Sequence, residues 1–365
     1  MLRQNVTAKE DMPAFDRSAM DGYAVSVDDL SEKFRIAAEI QPGAPYKGKI
    51  KPGDCARIFT GAPIPNGTSQ VLMQEHVRVE NGFMIPTERT SHRNIRERGE
   101  DARKGDLLLE SGSRLGAGEL ALLATLGVTK FKASPVVQVA HFATGNELVA
   151  ADKKPRPGQI RDSNSTLVSA LVRCFGGEVI QQELVVDDFG LLLKKARALK
   201  NSFDLLLMSG GASVGDYDFG KKLLTALGFK IHFTAINLRP GKPLVFATKG
   251  RQAAFIIPGN PVSHFVTLHV AVRLAFETFA GSESSFALAK IKLAETFESK
   301  PVGRETFWPA RIEIQKGELV VRALRWQSSG DVTGLTGANA LLQLDANATA
   351  PKPGDHVSVL MIETP

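Results

Sequence analysis

Long apolar runs are missing from this chain of 365 residues. None approaches the ~18 consecutive apolar residues of a membrane span, and Met1–Met12 carries no apolar stretch of the kind a secretory signal needs. The expectation is a cytoplasmic chain without a membrane partner. Cysteine is nearly absent too. Cys55 and Cys174 stand far apart, too few for a disulfide framework or a zinc site, and they read as buried thiols of a cytosolic protein. No excess of one charge dominates, since 45 Lys+Arg against 39 Asp+Glu leaves +6 at neutral pH. That charge is not gathered into a basic stripe with interleaved aromatics, which argues against a nucleic-acid binder. Two phosphate-loop signatures are also absent: there is no G-x-x-x-x-G-K-[ST] and no G-x-G-x-x-G.

What the sequence does have is ordinary globular material. A hydrophobic content of 43% supplies real cores and excludes a disordered chain. At roughly 100–200 residues per domain, the length predicts two to four domains. Residues 1–15 are polar and read as a lead-in rather than an element. From Ser18 to Arg89 the pattern is short strands with turn chemistry, and Asn81-Gly82 between two apolar stretches predicts a hairpin. Residues 91–118 are a charged, Gly-rich connection, followed by a short helix over 118–127. From 136 the pattern alternates. Strands are expected over 136–142, 179–186, 204–208, 230–236, 244–247 and 253–257, with helices over 163–175, 191–199, 221–227 and 262–280. This is an α/β domain with a mostly parallel sheet. After Gly281 the chain is β-rich again, with a turn at Lys316-Gly317.

In an open α/β sheet, ligands bind outside the carboxyl ends of the strands, and most unusual loops of this domain follow strands. Thr144-Gly145-Asn146-Glu147 follows the first, Asp187-Asp188 the second, and Ser209-Gly210-Gly211-Ala212-Ser213 running on to Asp218 the third. Arg239-Pro240-Gly241-Lys242 and Pro258-Gly259-Asn260-Pro261 follow later strands. Glycines with hydroxyls offer donors to a phosphate, and Arg239 with Lys242 suits an oxyanion. Glu147, Asp187 and Asp218 can hold a hard cation such as Mg²⁺, which takes one or two carboxylates and keeps water and phosphate oxygens. Together these point to phosphoryl or nucleotidyl chemistry. Asp187-Asp188 also has a plain reading as a helix cap. His141, His232 and His264 sit in apolar periods and are expected to be packed side chains.

Seven segments then carry a resemblance. Phe15-Asp-Arg-Ser-Ala-Met-Asp-Gly-Tyr-Ala24, Arg57-Ile-Phe-Thr-Gly-Ala-Pro-Ile-Pro65 and Asn94-Ile-Arg-Glu-Arg-Gly-Glu-Asp101 come first. Thr144-Gly-Asn-Glu-Leu148, Ser209 to Asp218, Arg239-Pro-Gly-Lys-Pro243 and Pro258-Gly-Asn-Pro-Val-Ser263 follow in order. The chain resembles the molybdopterin molybdenumtransferase (MoeA) family, also represented by the E domains of gephyrin and plant Cnx proteins.

The resemblance implies a multidomain α/β plus β fold: a central α/β domain like that of MogA-type adenylyltransferases, a β-rich domain, a reduced elongated linker domain and a small C-terminal β-barrel-like domain. It sets residues 7–15 with 100–135 as linker domain I, and 1–6 with 16–99 as β-rich domain II. Residues 136–284 become molybdopterin-binding domain III, and 285–365 domain IV. The implied reaction takes adenylylated molybdopterin and molybdate, with Mg²⁺, to molybdenum cofactor and AMP. A homodimer with a composite active site is implied, as are transient contacts with a MogA-type adenylyltransferase and with molybdoenzyme acceptors.

Residue by residue, the resemblance makes Asp21, Thr60, Asp101, Glu147, Asp187 and Asp218 catalytic candidates, with Glu147, Asp187 and Asp218 as metal ligands. Gly210, Gly211, Ser213, Arg239, Lys242, Pro258, Pro261 and Ser329 become cofactor-binding candidates. Asp21 keeps an alternative as a turn-stabilising residue, and Pro258 with Pro261 as loop-shaping residues. Three departures stand out. The stretch ahead of Asp21 is shorter than is usual in the family, Arg239 stands where many members have Lys, and Gln327-Ser-Ser-Gly leaves Ser328 and Ser329 as alternatives. Two other functions stay open: molybdopterin adenylylation, and a non-catalytic cofactor carrier or scaffold.

Overall fold

The computed structural model describes residues 1–200, 202–211, 219–282, 286–297 and 302–362. The chain forms two compact units, Met1–Ala133 and Ser134–Pro365.

The first unit holds a six-stranded sheet in the order Gln70–Met73, Gly22–Val25, Asp54–Ile58, Phe34–Ile40, Phe83–Pro86 and Val77–Glu80. The hairpin expected at Asn81-Gly82 forms there. Both residues take positive φ, 49° and 82°, the twist that matches two antiparallel strands across a two-residue loop. Ala24, Ile40, Ala56, Ile58 and Val71 pack on one face of this sheet; Tyr23, Phe34, Cys55, Leu72 and Met84 pack on the other. Cys55 is buried as expected, and burial pushes its thiol up to about 12, so it stays a neutral thiol. Cys174, in the second unit, is half-buried.

The polar first residues are more than a lead-in. Val6–Thr7 pairs antiparallel with Leu107–Leu109. The Leu2 amide donates to the Ser113 carbonyl and the Arg3 amide to the Lys132 carbonyl. Leu2, Val6 and Leu123 form a small core of their own beside the helix Ala117–Thr125. Residues 1–6 thus pack with the 100–133 segment. The cause is apolar burial by Leu2 and Val6, two side chains too sparse to give a periodic signal.

In the second unit a six-stranded sheet runs in the order Gly177–Val185, Val137–Thr144, Leu205–Ser209, Gln252–Ile257, Val245–Lys249 and Lys230–Phe233. The first four are parallel neighbours. The last two pairings are antiparallel. For Val245–Lys249 with Gln252–Ile257 the cause is the link: only Gly250 and Arg251 separate them, and a parallel return needs a crossover of a dozen or more residues. The expected parallel sheet thus carries an antiparallel edge.

Side-chain parity makes three layers. Val137, Val139, Leu205, Leu207, Phe255 and Ile257 face one way, onto the helix Asn164–Cys174 and the helical run from Pro261 to Ala280. Ala140, Phe142, Leu206, Met208, Ala254 and Ile256 face the other, onto the helices Phe189–Ala198 and Phe219–Ala226. Burial on both faces explains why the central strands read as unbroken apolar runs. The single long helix expected over 262–280 is interrupted by a π-turn at Leu268–Val272.

A ring of five strands follows. Glu305–Gln315, Glu318–Ala323, Leu288–Leu293, His356–Met361 and Ala340–Leu344 pair in that order, and the last closes back on the first. This is the closed β-barrel expected for the C-terminal part. It does not stand apart from the α/β layers. Leu238–Arg239 pairs in parallel with Glu305–Thr306, and Phe307, Ala338, Leu341, Leu360 and Ile362 enter the same apolar core as the sheet.

Candidate active site at the carboxyl rim of the sheet

Strand order places the site. The chain steps from Val137–Thr144 outward to Gly177–Val185, then back past it to Leu205–Ser209. The loops leaving Thr144 and Ser209 therefore diverge at a topological switch point, where open α/β sheets bind ligands. Gly210 sits there with φ +89°, and a Cβ on it would lie 2.7 Å from the Thr144 carbonyl oxygen. Only glycine lets the two loops come this close. Gly211 follows it on the rim, whereas Ser213 and Asp218 lie outside the described residues.

The two aspartates of the second loop divide their duties. Asp188 caps the helix Phe189–Ala198 by accepting from the Leu191 amide at 2.8 Å. Asp187 instead faces the first loop. Its amide donates to Asn146 Oδ1 at 3.1 Å, and its Oδ2 accepts from the Asn146 amide at 3.3 Å. That reciprocal pair ties the Glu147 loop to the Asp187 loop, and both carboxylates are exposed. Among the described residues no three His, Cys, Asp or Glu converge into a ready-made metal cluster. Two exposed carboxylates on tied loops still fit Mg²⁺, a hard cation that takes one or two of them and fills its remaining positions with water and phosphate oxygens.

The opposite side of the rim is basic. Gly241 packs against Thr267, which seats the Arg239–Lys242 loop beside the helix that begins at Pro261. Arg239 lies over the Trp326 ring at 5.4 Å, and its Nη1 is buried with no hydrogen-bond partner among the described residues. Burial, and then the nearby charge of Arg304, pull its pKa below the ordinary guanidinium value. Two guanidinium groups near each other, one with an orphaned donor, form a site short of negative charge. Lys242 is exposed on the same loop.

Pro258 and Pro261 bracket the last loop, and the barrel reaches it. Asn260 Nδ2 donates to Ser329 Oγ at 2.8 Å, and the Val262 amide donates to the Ser329 carbonyl at 3.0 Å. Ser328 instead accepts the Trp326 indole N–H through its carbonyl. Of the two serines left open by the sequence, Ser329 is the one that bonds to this loop.

Three residues of this rim were not singled out from sequence. Arg304 shows no signal beyond following Gly303 ahead of a strand. Asn164, 8% exposed, donates to the Gly259 carbonyl at 2.6 Å and leaves its buried Oδ1 without a partner among the described residues. Trp326 gave no periodic signal.

Asp21, Thr60 and Asp101 belong to the first unit and are described within it. Asp21 Oδ1 accepts from both the amide and the hydroxyl of Thr60, each at 2.7 Å. Those bonds hold its carboxyl below the usual carboxylate range. Asp21 thereby ties its own turn to the Thr60 turn, 39 positions on in the sequence. Asp101 is ion-paired with Arg96, which also reaches Glu100 at 3.2 Å. Arg57, between them in sequence, is stacked between the rings of Tyr23 and Phe59 at 5.0 Å from each.

Residues 1–127 match the MoeA N-terminal region (domain I and II), 140–278 a probable molybdopterin binding domain, and 290–362 the MoeA C-terminal region (domain IV). A molybdopterin molybdenumtransferase from Nostoc sp. is 35% identical over 379 residues, covering 99% of this chain and 86% of the relative. One from Haemophilus influenzae is 34% identical over 363 residues, covering 98% and 89%. The solved structure of the molybdopterin biosynthesis moeA protein from Pyrococcus horikoshii OT3 superposes with a TM-score of 0.80 at 26% identity, covering 99% of this chain and 91% of that one.

Proposed function

The chain belongs to the molybdopterin molybdenumtransferase (MoeA) family, and from that premise we propose how its rim works. It is a transferase of molybdenum cofactor biosynthesis that inserts molybdenum into the cofactor. In our reading the substrates are adenylylated molybdopterin and molybdate, and the products are molybdenum cofactor and AMP. The observation that carries this is the pair Arg239 and Arg304, unneutralised among the described residues and with a buried orphan N–H, on the rim of a sheet whose opposite loops carry carboxylates.

An oxyanion such as molybdate or a phosphate supplies the missing charge and accepts the orphan donor. Arg239 suits this as a planar fork, and its stack on Trp326 fixes the fork's plane. Lys242 adds a mobile point charge from the same loop. Gly210 and Gly211 leave room for the pterin or phosphate to approach the backbone, and Asn164 Oδ1 offers an acceptor to a ligand N–H. Glu147 and Asp187, with Asp218 by family likeness, would hold Mg²⁺. When bound, that ion supplies positive charge against the phosphoanhydride. Ser329 would hold the Pro258–Pro261 loop against the ligand. Asp21, Thr60 and Asp101 would join a composite site in a homodimer, and the reaction is assigned to the cytoplasm, where contacts with an adenylyltransferase and with molybdoenzyme acceptors would complete the path.

The test is direct. Purified protein is incubated with adenylylated molybdopterin and Mg²⁺, with and without molybdate, and AMP is measured. Molybdate-dependent AMP release, with product that activates an apo-molybdoenzyme, is the expected result. Substrate binding without AMP would favour a carrier instead, and formation of adenylylated molybdopterin from ATP would favour adenylylation.

A further inference from the structure

Beneath the rim lies a hydrogen-bond chain that the proposed chemistry does not use. Gln182 Nε2 contacts His141 Nδ1 at 3.0 Å. His141 Nε2 contacts Ser209 Oγ at 2.6 Å, and Ser209 Oγ contacts His264 Nε2 at 2.7 Å. His264 Nδ1 contacts the Pro258 carbonyl at 2.7 Å. Both imidazoles are fully buried, and Ser209 is 2% exposed. Parity explains the meeting. His141 and Ser209 share the odd-numbered face of their strands, the face covered by the helix that carries His264.

Both ends of the chain are fixed. Gln182 Nε2 also donates to the Ser165 carbonyl, and Gln182 Oε1 accepts from the Ser169 hydroxyl, so the amide nitrogen is the one facing His141. A carbonyl can only accept, so His264 Nδ1 carries a proton. The proton positions between then follow without choice. His141 carries its proton on Nε2 and gives it to Ser209, and Ser209 gives its own to His264 Nε2. Every donor in the chain has an acceptor, and the whole runs one way from Gln182 to Pro258.

Each link sits just ahead of a different rim loop. Gln182 precedes the Asp187 loop, His141 the Thr144–Glu147 loop and Ser209 the Gly210-Gly211 turn, while Pro258 begins the loop that His264 closes. We propose that this one-way chain is a positioning device, in which the Ser209 hydroxyl locks two neutral histidines of opposite tautomer and thereby holds four ligand loops in one arrangement. Ser209, His141 and His264 are positioning residues and do not touch the ligand. The consequence for turnover rests on the molybdenum-insertion reading; the holding of the loops does not.

The experiment uses the full chain with ¹⁵N-labelled histidine, and compares it with Ser209→Thr and Ser209→Val. These two substitutions share a shape and differ in the hydroxyl, so a packing defect affects both. Long-range ¹H–¹⁵N spectra, assigned through His141→Phe and His264→Phe, are expected to show the Nε2–H form for His141 and the Nδ1–H form for His264. In Ser209→Val, amide exchange over 257–264 and kcat/KM for adenylylated molybdopterin are each expected to worsen about 10- to 100-fold, the scale of the two buried hydrogen bonds lost with the hydroxyl, while Ser209→Thr stays within about twofold. Other tautomers in the unsubstituted protein, or equal exchange in the Thr and Val variants, overturn the proposal. If tautomers and exchange behave as stated but no variant releases AMP, the positioning device stands and the insertion reading falls.

Discussion

Arg239 shows how one side chain depends on neighbours from remote parts of the sequence. Its orphaned Nη1, the like charge of Arg304 and the Trp326 face leave it poised for an anion. Arg239→Ala is expected to raise the molybdate concentration for half-maximal AMP release by about 10- to 100-fold, the range for a hydrogen bond to a charged group. Arg239→Lys should fall between, because the charge remains while the fork and the stack are lost. A molybdate titration that leaves Arg239→Ala at the unsubstituted value would remove this residue from the oxyanion site. The basic loop itself was legible in the sequence, since Arg and Lys flank a Pro-Gly turn. Arg304 and Trp326 were not, because what recruits them is barrel closure. The buried histidines give the same lesson. His141 and His264 each sit in an apolar period and read as packing, which is correct; His232, expected to pack in the same way, is instead exposed on its edge strand, its Nε2 beside the Thr248 hydroxyl. The common partner of His141 and His264 lies 68 and 55 positions away, and no local pattern encodes that.

Among elements, the π-turn Leu268–Val272 has a visible cost. His269 within it is buried between Phe175 and Phe265, edge-on at 5.4 and 4.7 Å, and neither ring nitrogen has a partner among the described residues. An unsatisfied buried polar group costs about 1–3 kcal/mol, and the aromatic contacts return about 0.5–1.5. His269→Leu should therefore stabilise the second unit by about 1 kcal/mol, seen as a higher urea midpoint with unchanged m-value. A lower midpoint would mean that the imidazole has a function which repays its burial. Turns were the most legible elements, for a mechanical reason. Asn81-Gly82 and Lys316-Gly317 adopt positive φ at both positions, and few residue pairs accept that readily. The antiparallel sheet edge has a local signal as well, in the two-residue link Gly250-Arg251, which only a hairpin can use. The π-turn has none, since its apolar spacing passes for ordinary helix.

For the whole molecule, acid should separate the two units. Burial holds His141 and His269 down to about 3 and His264 to about 4, against an ordinary 6.5. The folded state refuses protons that the unfolded chain accepts. Stability from these three is complete above pH 6.5 and is lost as pH falls from 6.5 toward about 4 for His264 and about 3 for the others. At about 1.4 kcal/mol per pH unit each, the loss reaches about 2 kcal/mol per histidine by pH 5. The first unit has no buried histidine among its described residues. Its Asp11, Asp21, Asp29 and Asp54 are held below the usual 3.8, so their contribution persists above pH 3.8 and fades only below it. Both tryptophans, Trp308 and Trp326, lie in the second unit, so tryptophan fluorescence reports that unit alone. Its urea midpoint should drop steeply from pH 7 to pH 5. A flat profile would show that the three histidines are not held neutral. At this scale the rim was legible, because the β/α alternation and the loop chemistry both pointed there.

The parallel pairing of Leu238–Arg239 with Glu305–Thr306 makes the barrel a brace for the basic loop. Messages that stop short of codon 304 would then yield a particular kind of failure: a polypeptide with the four parallel strands and their covering helices, but with Arg239 on an unanchored hook and Arg304 missing. Supplying the barrel as a separate polypeptide would have to restore a strand pairing and a shared apolar core at once, so rescue by two half-genes should depend steeply on the concentration of both products.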